Sequence, residues 1–155
     1  ADASPRLQTG SYVLQRYLDT IYLVEPTVGV MRSPVNLRAG GGCDIPGVGE
    51  FALRPGEGKG LWLAPDESLQ LRWRSGGERC RPVGRDRSTS LKKLLQERQV
   101  PTWWRDRVPL LFLGEELLAV GDLWLCHSSR YGDAGRSGEQ CFTPHWSPII
   151  PTGFD

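Results

Sequence analysis

The sequence predicts a mainly β (α+β) domain in which a short helix and a helical turn are inserted between strands. Nineteen Gly and twelve Pro among 155 residues favour short strands and turns over long helices. Residues 69–74 alternate apolar and polar side chains, as a half-buried strand does. A helical pattern is confined to residues 91–99, where leucines recur at i, i+3 and i+4.

The other strands are predicted from short apolar runs between turn residues. Residues 11–24 predict two strands joined by a tight turn, and residues 25–49 predict an irregular connection with one edge strand. Apolar runs flank Gly114 and predict a hairpin there. The remaining predicted strands lie at residues 50–54, 60–63, 108–113, 117–120 and 123–126.

The predicted organisation is one domain over residues 11–126, flanked by two segments of biased composition. Residues 1–10 are polar and are interpreted as a linker from a preceding domain. Residues 127–155 are rich in Gly, Ser and Pro, and we expect this tail to be poorly ordered in part. The length is sufficient to bury a core without staples.

Basic residues are concentrated between residues 72 and 107. This window holds eleven Lys and Arg against four Asp and Glu, a net charge of +7, whereas the whole chain carries +1. A domain polarised in this way is suited to an anionic partner. Arginine pairs with phosphate through two parallel hydrogen bonds. The candidate phosphate contacts are Arg79, Arg81, Arg85, Arg87, Lys92, Lys93, Arg105 and Arg107.

The predicted helix begins in an unusual way. Ser88, Thr89 and Ser90 are candidate N-caps. Lys92 and Lys93 occupy the first turn, where positive charge is unfavourable beside the helix dipole. A local conflict of this kind is expected at functional sites, and a bound phosphate would relieve it.

Two adjacent tryptophans follow the helix. One of Trp103 and Trp104 is expected to pack in the core, and the other is free to stack on a base or a ribose. Residues 105–107 also fit a structural role, in which exposed ion pairs contribute about 0–1 kcal/mol to the turn. RNP motifs and zinc knuckles are absent, which favours readout of RNA shape and backbone.

No motif for catalysis or cofactor binding is found. Ser75-Gly76-Gly77 begins like an SGG-x-D-S pyrophosphate loop, but Arg79 and Cys80 stand where that loop needs Asp and Ser. GxxxxGK[ST], GxGxxG and GxSxG are also absent. The sequence therefore predicts no catalytic residue and no bound cofactor, and it disfavours an enzyme that acts alone.

Thiol and imidazole groups show no metal-binding pattern. The candidate ligands are Cys43, Cys80, Cys126, His127, Cys141 and His145. No pair has the local spacing of a zinc site, so no metal is predicted. Reduced thiols in the cytoplasm are the expectation. The first residues lack the apolar core of a signal peptide and no apolar run reaches twenty residues, so no membrane partner is expected.

Four segments follow one another in a specific order. They are Gly76-Gly77 with the Arg/Gly loop, Leu91-Lys92-Lys93-Leu94, Val100-Pro101-x-Trp103-x-Arg105-Asp106-Arg107-x-Pro109-Leu110-Leu111 and Leu118-Ala119-Val120. In this order they resemble the C-terminal domain of bacterial tRNA(Ile)-lysidine synthetases. The resemblance covers the core motif at residues 69–125.

The resemblance implies a fold and a function. The fold is a β-sandwich of unusual topology with a helical insertion, similar to a module in the β subunit of phenylalanyl-tRNA synthetase. The full enzyme is a ligase that uses ATP with Mg to adenylate the wobble cytidine of tRNA(Ile) with a CAU anticodon, and then attaches lysine. That chemistry belongs to an N-terminal domain, so we expect this chain to be inactive alone.

The same resemblance implies partners and site residues. The partners are tRNA(Ile), contacted on its acceptor-stem side, and the enzyme's own N-terminal catalytic domain. The implied tRNA-binding residues are Arg79, Arg81, Arg85, Arg87, Lys92, Lys93, Trp103, Arg105 and Arg107. One alternative stays open, a protein-interaction module whose basic face docks the catalytic domain or another acidic partner.

Overall fold

A computed structural model describes residues 6–9, 12–17, 20–24 and 33–148. The chain divides into two compact units, residues 1–31 with 149–155 and residues 32–148. In the first unit, strands β1 (Arg6–Thr9), β2 (Tyr12–Tyr17) and β3 (Thr20–Val24) form an antiparallel sheet in that order.

The first unit confirms one prediction and corrects another. The two strands expected within residues 11–24 are β2 and β3. Strand β1, however, lies inside the segment interpreted as a linker. Its four residues include only one hydrophobic residue, Leu7, and the strand is defined by backbone pairing with β2, which composition does not reveal.

The second unit contains two five-stranded antiparallel sheets and a helical insertion. The strands of sheet I are β4 (Val35–Arg38), β8 (Ser68–Arg72), β11 (Leu110–Leu113), β12 (Glu116–Val120) and β13 (Trp124–Leu125). Those of sheet II are β5 (Gly42–Ile45), β6 (Gly49–Pro55), β7 (Gly60–Leu63), β14 (Tyr131–Gly132) and β15 (Gln140–Pro148). Their orders are β13-β12-β11-β8-β4 and β14-β7-β15-β6-β5. The insertion consists of β9 (Arg79–Cys80), β10 (Thr89–Ser90), α1 (Leu91–Glu97) and α2 (Thr102–Arg105).

Side chains from both sheets meet in one buried cluster, so the two sheets form a β-sandwich. Leu71 and Leu118 enter this cluster from sheet I, and Leu53 and Phe142 enter it from sheet II. The prediction of a mainly β fold with short helical elements is confirmed.

Sheet I is covered on both faces at its central strand. Leu110 and Leu111 are neighbours in β11 and therefore point to opposite faces, yet neither is exposed. The leucine face of α1, formed by Leu91, Leu94 and Leu95, belongs to the same buried cluster. The helical insertion is therefore an additional layer of this core.

The connection predicted over residues 25–49 contains more strand than expected. Its described part holds two strands, β4 and β5, at the edges of the two sheets. A turn joins them, closed by the Gly41 N–H donating to the Arg38 carbonyl at 2.8 Å. Gly40 has a φ of +85° in this turn, a conformation that favours glycine. The chain thereby crosses from sheet I to sheet II within a few residues.

The predicted tail at residues 127–155 contains two strands, β14 and β15, over the part that the structure describes. Strand β15 is the central strand of sheet II, paired with β6 on one side and β7 on the other. Pro144 and Pro148 lower the strand signal of this segment. Because both partners of β15 lie far upstream, no local hairpin pattern reveals the pairing. Residues 149–155 lie outside the described residues.

Trp146 anchors β15 in the core. Its side chain is 7% exposed, its indole N–H donates to the Val48 carbonyl at 3.2 Å, and its ring stacks on Trp104 with 6.1 Å between centroids. A Cβ placed on Gly121 would lie 3.0 Å from this indole, so the turn before β13 also packs closely against it. One side chain therefore connects sheet II with the helical insertion.

Replacing this anchor tests whether β15 is integral to the fold. We expect Trp146→Ala to lower the free energy of unfolding by about 3–5 kcal/mol, because it leaves a large cavity in the core. Urea denaturation followed by circular dichroism measures the change. Ser147→Ala, at an exposed position of the same strand, should change stability by less than about 0.5 kcal/mol. Equal stability of the two variants would contradict the central role of β15.

The expectation of four reduced thiols is wrong for one pair. Cys80, in β9, and Cys126, just after β13, form a disulfide with 5.8 Å between their Cα atoms. Cys43 and Cys141 are unpaired. Because 46 residues separate the bonded cysteines, only tertiary structure brings them together. The disulfide attaches the helical insertion to the end of sheet I.

Reduction of this disulfide provides a second stability test. Closing a loop of this length restricts the unfolded chain, so reduction should lower the free energy of unfolding by about 2–4 kcal/mol. Urea denaturation with and without dithiothreitol measures the effect. The double variant Cys80→Ser/Cys126→Ser should match the reduced protein and should not respond to the reductant. A titration that finds four free thiols in chain purified without reductant would contradict the assignment.

Candidate nucleic-acid interface

The segment that carries most of the basic residues is a short hairpin, β9 and β10 with the loop between them, which we call the basic hairpin (residues 79–90). Gly84 has a φ of +92° at the turn in this loop, where the Arg85 N–H donates to the Pro82 carbonyl.

Glu78 lies just before the basic hairpin and accepts hydrogen bonds from the N–H and hydroxyl of Ser75 and the N–H of Gly76. Partial burial by itself would raise the pKa of Glu78, but these hydrogen bonds outweigh it and lower the pKa.

Helix α1 follows the hairpin directly. Of the three candidate N-caps, Ser90 is the cap, because its hydroxyl accepts a hydrogen bond from the Lys93 N–H at 3.2 Å. The leucine face of α1 is buried, which leaves Lys92 and Lys93 exposed on the outer side. The first turn of α1 contains no acidic residue. Both ammonium groups therefore face solvent beside the basic hairpin.

Hydrogen bonds within the insertion hold the first three arginines. The Arg79 guanidinium donates to the Ser88 carbonyl at 3.1 Å, and Arg81 Nε donates to the Arg85 carbonyl at 2.9 Å. Arg85 forms an ion pair with Glu97 of α1 at 3.1 Å. All three side chains are exposed, and a guanidinium has five N–H donors, so each retains donors for a ligand.

A groove of about 410 Å³ lies between the basic hairpin and α1. Its lining residues are Arg85, Asp86, Arg87, Ser88, Thr89, Lys93 and Glu97. Within the described part of the chain, no ion pair joins Arg87, Lys92 or Lys93 to a carboxylate. The fold thus brings Arg87 and Lys93, six residues apart in sequence, to one surface with their charges available.

Two of the predicted phosphate contacts are not on this surface. Arg105 is 3% exposed, and its Nε donates to the Val100 carbonyl at 2.8 Å. Arg107 is 6% exposed, and its guanidinium lies 5.2 Å from the centre of the Trp104 ring. The prediction that they present their charges to phosphate is therefore wrong for this conformation. Arg105 ends α2 and Arg107 follows it by two residues, and both side chains are buried together with their guanidinium groups.

Two further arginines of the basic window, one at the end of β8 and one just after it, also lie apart from this surface. Arg72 and Arg74 are half-buried and do not extend the exposed basic surface. Arg72 pairs with Glu115 at 3.4 Å and lies 4.5 Å from the centre of the Phe112 ring. Arg74 pairs with Asp106 at 3.0 Å. Asp106, the C-cap of α2, is therefore paired with the segment that follows β8, which differs from the local ion pairs considered for residues 105–107.

The two adjacent tryptophans are both half-buried. Trp104 takes the packing role, since it stacks on Trp146 at an interplanar angle of 20°. Trp103 lies in the first turn of α2, and its contact with RNA stays a prediction.

Two residues that the sequence reasoning missed lie next to this surface. Arg98, at the C-cap of α1, is exposed, and its guanidinium lies 5.8 Å from the centre of the Trp124 ring. Trp124 is half-exposed in β13. Arg98 belongs to the basic window of the sequence. No pattern near β13 indicates that Trp124 lies beside Arg98.

The described residues offer little for metal or thiol chemistry. They contain no group of three or more His, Cys, Asp or Glu side chains placed to hold a metal ion. Burial raises the pKa of Cys141, and burial together with Asp44 raises that of Cys43, so both thiols are poorly activated as nucleophiles. Among the same residues no helix has the length and apolar character needed to cross a membrane.

Comparison with known proteins identifies relatives of this chain. Residues 69–141 match the family described as the TilS substrate C-terminal domain. The chain is 34% identical to a tRNA(Ile)-lysidine synthase of Coxiella burnetii over 128 residues, which cover 81% of this chain and 28% of that protein. It is 29% identical to the same enzyme of Photobacterium profundum over 144 residues, covering 82% and 33%. For the Salmonella typhimurium enzyme the identity is 34% over 133 residues, covering 80% and 29%. The chain therefore spans about a third of the length of these relatives.

The contrast between buried and exposed arginines can be tested by measuring the free energy of unfolding of alanine variants. Arg105→Ala should lower the free energy of unfolding by about 1–3 kcal/mol, because it removes a buried charge-assisted hydrogen bond to Val100. Arg87→Ala, at an exposed position without an ion pair among the described residues, should change it by less than about 0.5 kcal/mol. Urea denaturation of both variants measures the difference. If both variants were as stable as the unmodified chain, Arg105 would have no structural role.

Proposed function

Because residues 69–141 make this chain a member of the TilS substrate C-terminal domain family, we propose that it is the tRNA-recognition part of a tRNA(Ile)-lysidine synthase. The observation that carries the proposal is the exposed cationic surface formed by the basic hairpin and α1. We assign tRNA backbone contacts on this surface to Arg79, Arg81, Arg85, Arg87, Lys92 and Lys93.

The chemistry of this surface supports RNA as the anion. Four guanidinium groups match the geometry of phosphate oxygens, and the two ammonium groups add unpaired charge. Binding a polyanion releases its condensed counterions, which provides affinity without a sequence-specific contact. Arg105 and Arg107 contribute indirectly, because the turn they stabilise leads from α1 into β11.

The proposal includes the reaction of the whole enzyme. In it, an N-terminal catalytic domain uses ATP with Mg to activate the wobble cytidine of tRNA(Ile) bearing a CAU anticodon, and lysine is then attached. This chain supplies substrate selection from the acceptor-stem side and no catalytic group. A cytoplasmic location accompanies the proposal.

Charge reversal at α1 tests the proposed surface. We expect Lys92→Glu/Lys93→Glu to weaken binding of a tRNA(Ile) transcript at least about tenfold at low salt, since two phosphate contacts are lost and two repulsions are added. A plot of the logarithm of the association constant against the logarithm of the salt concentration has a negative slope, and its magnitude should decrease by about one to two. Fluorescence anisotropy titrations over a range of salt concentrations measure both quantities.

A matched control separates local contact from net charge. Arg54→Glu/Lys59→Glu changes the net charge equally at exposed positions at the end of β6 and in the loop that follows it. We expect it to retain the salt slope of the unmodified chain. Equal slopes for the two double variants would contradict the site. If the unmodified chain failed to bind tRNA but bound the separately produced catalytic domain, and Lys92→Glu/Lys93→Glu removed that binding, the protein-interaction alternative would replace the proposal.

A further inference from the structure

A second groove is lined in part by Pro82 and Val83 of the basic hairpin, and the proposed phosphate contacts do not use it. It is an open groove of about 410 Å³. We call it the Trp124 groove, and its apolar lining is formed by Pro82, Val83, Leu123, Trp124, Leu125 and Pro144. All of these except Pro82 are half-exposed, so an apolar surface faces solvent beside a strongly basic loop.

The groove offers one aromatic ring with polar groups at its edge. The Trp124 ring has the Arg98 guanidinium 5.8 Å from its centre. Three other tryptophans, Trp62, Trp73 and Trp146, each donate their indole N–H to a backbone carbonyl. Within the described residues, the indole N–H of Trp124 has no such acceptor.

An exposed carboxylate stands at the same groove. Asp122 is a lining residue, and its Oδ2 accepts the backbone N–H of Trp146 at 3.4 Å. Its other oxygen can accept a hydrogen bond from an exocyclic amine. A flat aromatic ligand with donors and acceptors on its edge matches this combination of groups.

The Trp124 groove and the proposed phosphate surface are both lined by the loop of the basic hairpin. Pro82 and Val83 line the Trp124 groove, and residues 85–89 of the same loop line the phosphate groove. Arg81 is exposed and precedes the lining residue Pro82 in the sequence. Arg98 is also exposed, and its guanidinium lies over the Trp124 ring. This juxtaposition suits a nucleotide chain, in which each aromatic base is attached to an anionic phosphate.

We propose that the Trp124 groove binds an unpaired nucleobase of the same RNA whose backbone contacts the basic hairpin. Bases within a duplex are stacked and paired, so only a single-stranded end, loop or bulge can supply this base. The base covers the exposed apolar lining and stacks on Trp124. The inference rests on the proposed function, because an RNA must first bind to the basic surface.

The test compares three RNA hairpins with the full chain. The first has a blunt end, the second has a short single-stranded 3′ extension, and the third has an abasic extension with the same number of phosphates. We expect the second to bind roughly fivefold or more tightly than the third, because stacking on an aromatic side chain contributes this much per base. Equal affinities for the two extended hairpins would overturn the inference while leaving the proposed function intact. Failure of all three hairpins to bind would contradict the proposed function, and the inference with it.

Variants assign the difference to the groove. Trp124→Ala should remove the preference for the base-bearing extension while leaving the affinity for the abasic hairpin unchanged, and Trp124→Phe should retain most of the preference. Trp62→Ala is the matched control, because it also removes a half-buried tryptophan but from sheet II. Circular dichroism checks that each variant is folded. Persistence of the preference in folded Trp124→Ala would overturn the inference.

Photo-crosslinking gives an answer that does not depend on a folded variant. With 5-bromouracil in the extension, the crosslink to the unmodified chain should map to residues 82–83 or 122–125, and a map confined to other residues would overturn the inference.

Binding of adenosine monophosphate distinguishes a site for a free nucleotide from a site for an RNA base. If it bound tightly in a Trp124-dependent way while the two extended hairpins bound equally, the groove would belong to a free nucleotide. Binding of an apolar peptide there, again with equal hairpin affinities, would assign it to a protein partner.

Discussion

The attachment of the basic hairpin to the end of sheet I is the constraint on which the functional surface depends. Two backbone hydrogen bonds form it, from Val83 N–H to the Leu125 carbonyl and from His127 N–H to the Arg81 carbonyl, together with the Cys80–Cys126 disulfide. A loop with three glycines nearby would otherwise sample many conformations. Fixed in this way, the loop presents exposed arginines and also lines the Trp124 groove.

The core and the surface are coupled through residues that look alike in the sequence. Arg87 is exposed and available to a ligand, whereas Arg105 is buried and bonded to the Val100 carbonyl. Trp146 connects β15 to α2 through its stacking on Trp104. A strand from the far end of the chain therefore packs against the helical insertion that carries the basic surface, and its Pro144 also lines the Trp124 groove.

Local patterns were sufficient where the determining interactions are local. Alternation identified β8, the leucine spacing identified α1, and a serine next to that helix is its N-cap. The hairpin of β11 and β12 followed from two apolar runs around Gly114. Strand β15 was missed because its two prolines weaken the local signal and its hydrogen-bond partners are remote. Strand β1 was missed for a different reason: its partner β2 is the next strand in the chain, but only one of its four residues is hydrophobic.

The sequence by itself determined a strand-rich class, a capped amphipathic helix, a concentration of positive charge and a family resemblance. Each depends on neighbours within a few positions, or on an order of residues that can be read directly. Only the tertiary structure decided which arginines face solvent, which cysteines are joined and that Trp124 lies beside Arg98. The physical reason is that the exposure and the pairing of a side chain depend on which distant segments pack against it. The residue type alone does not determine those contacts.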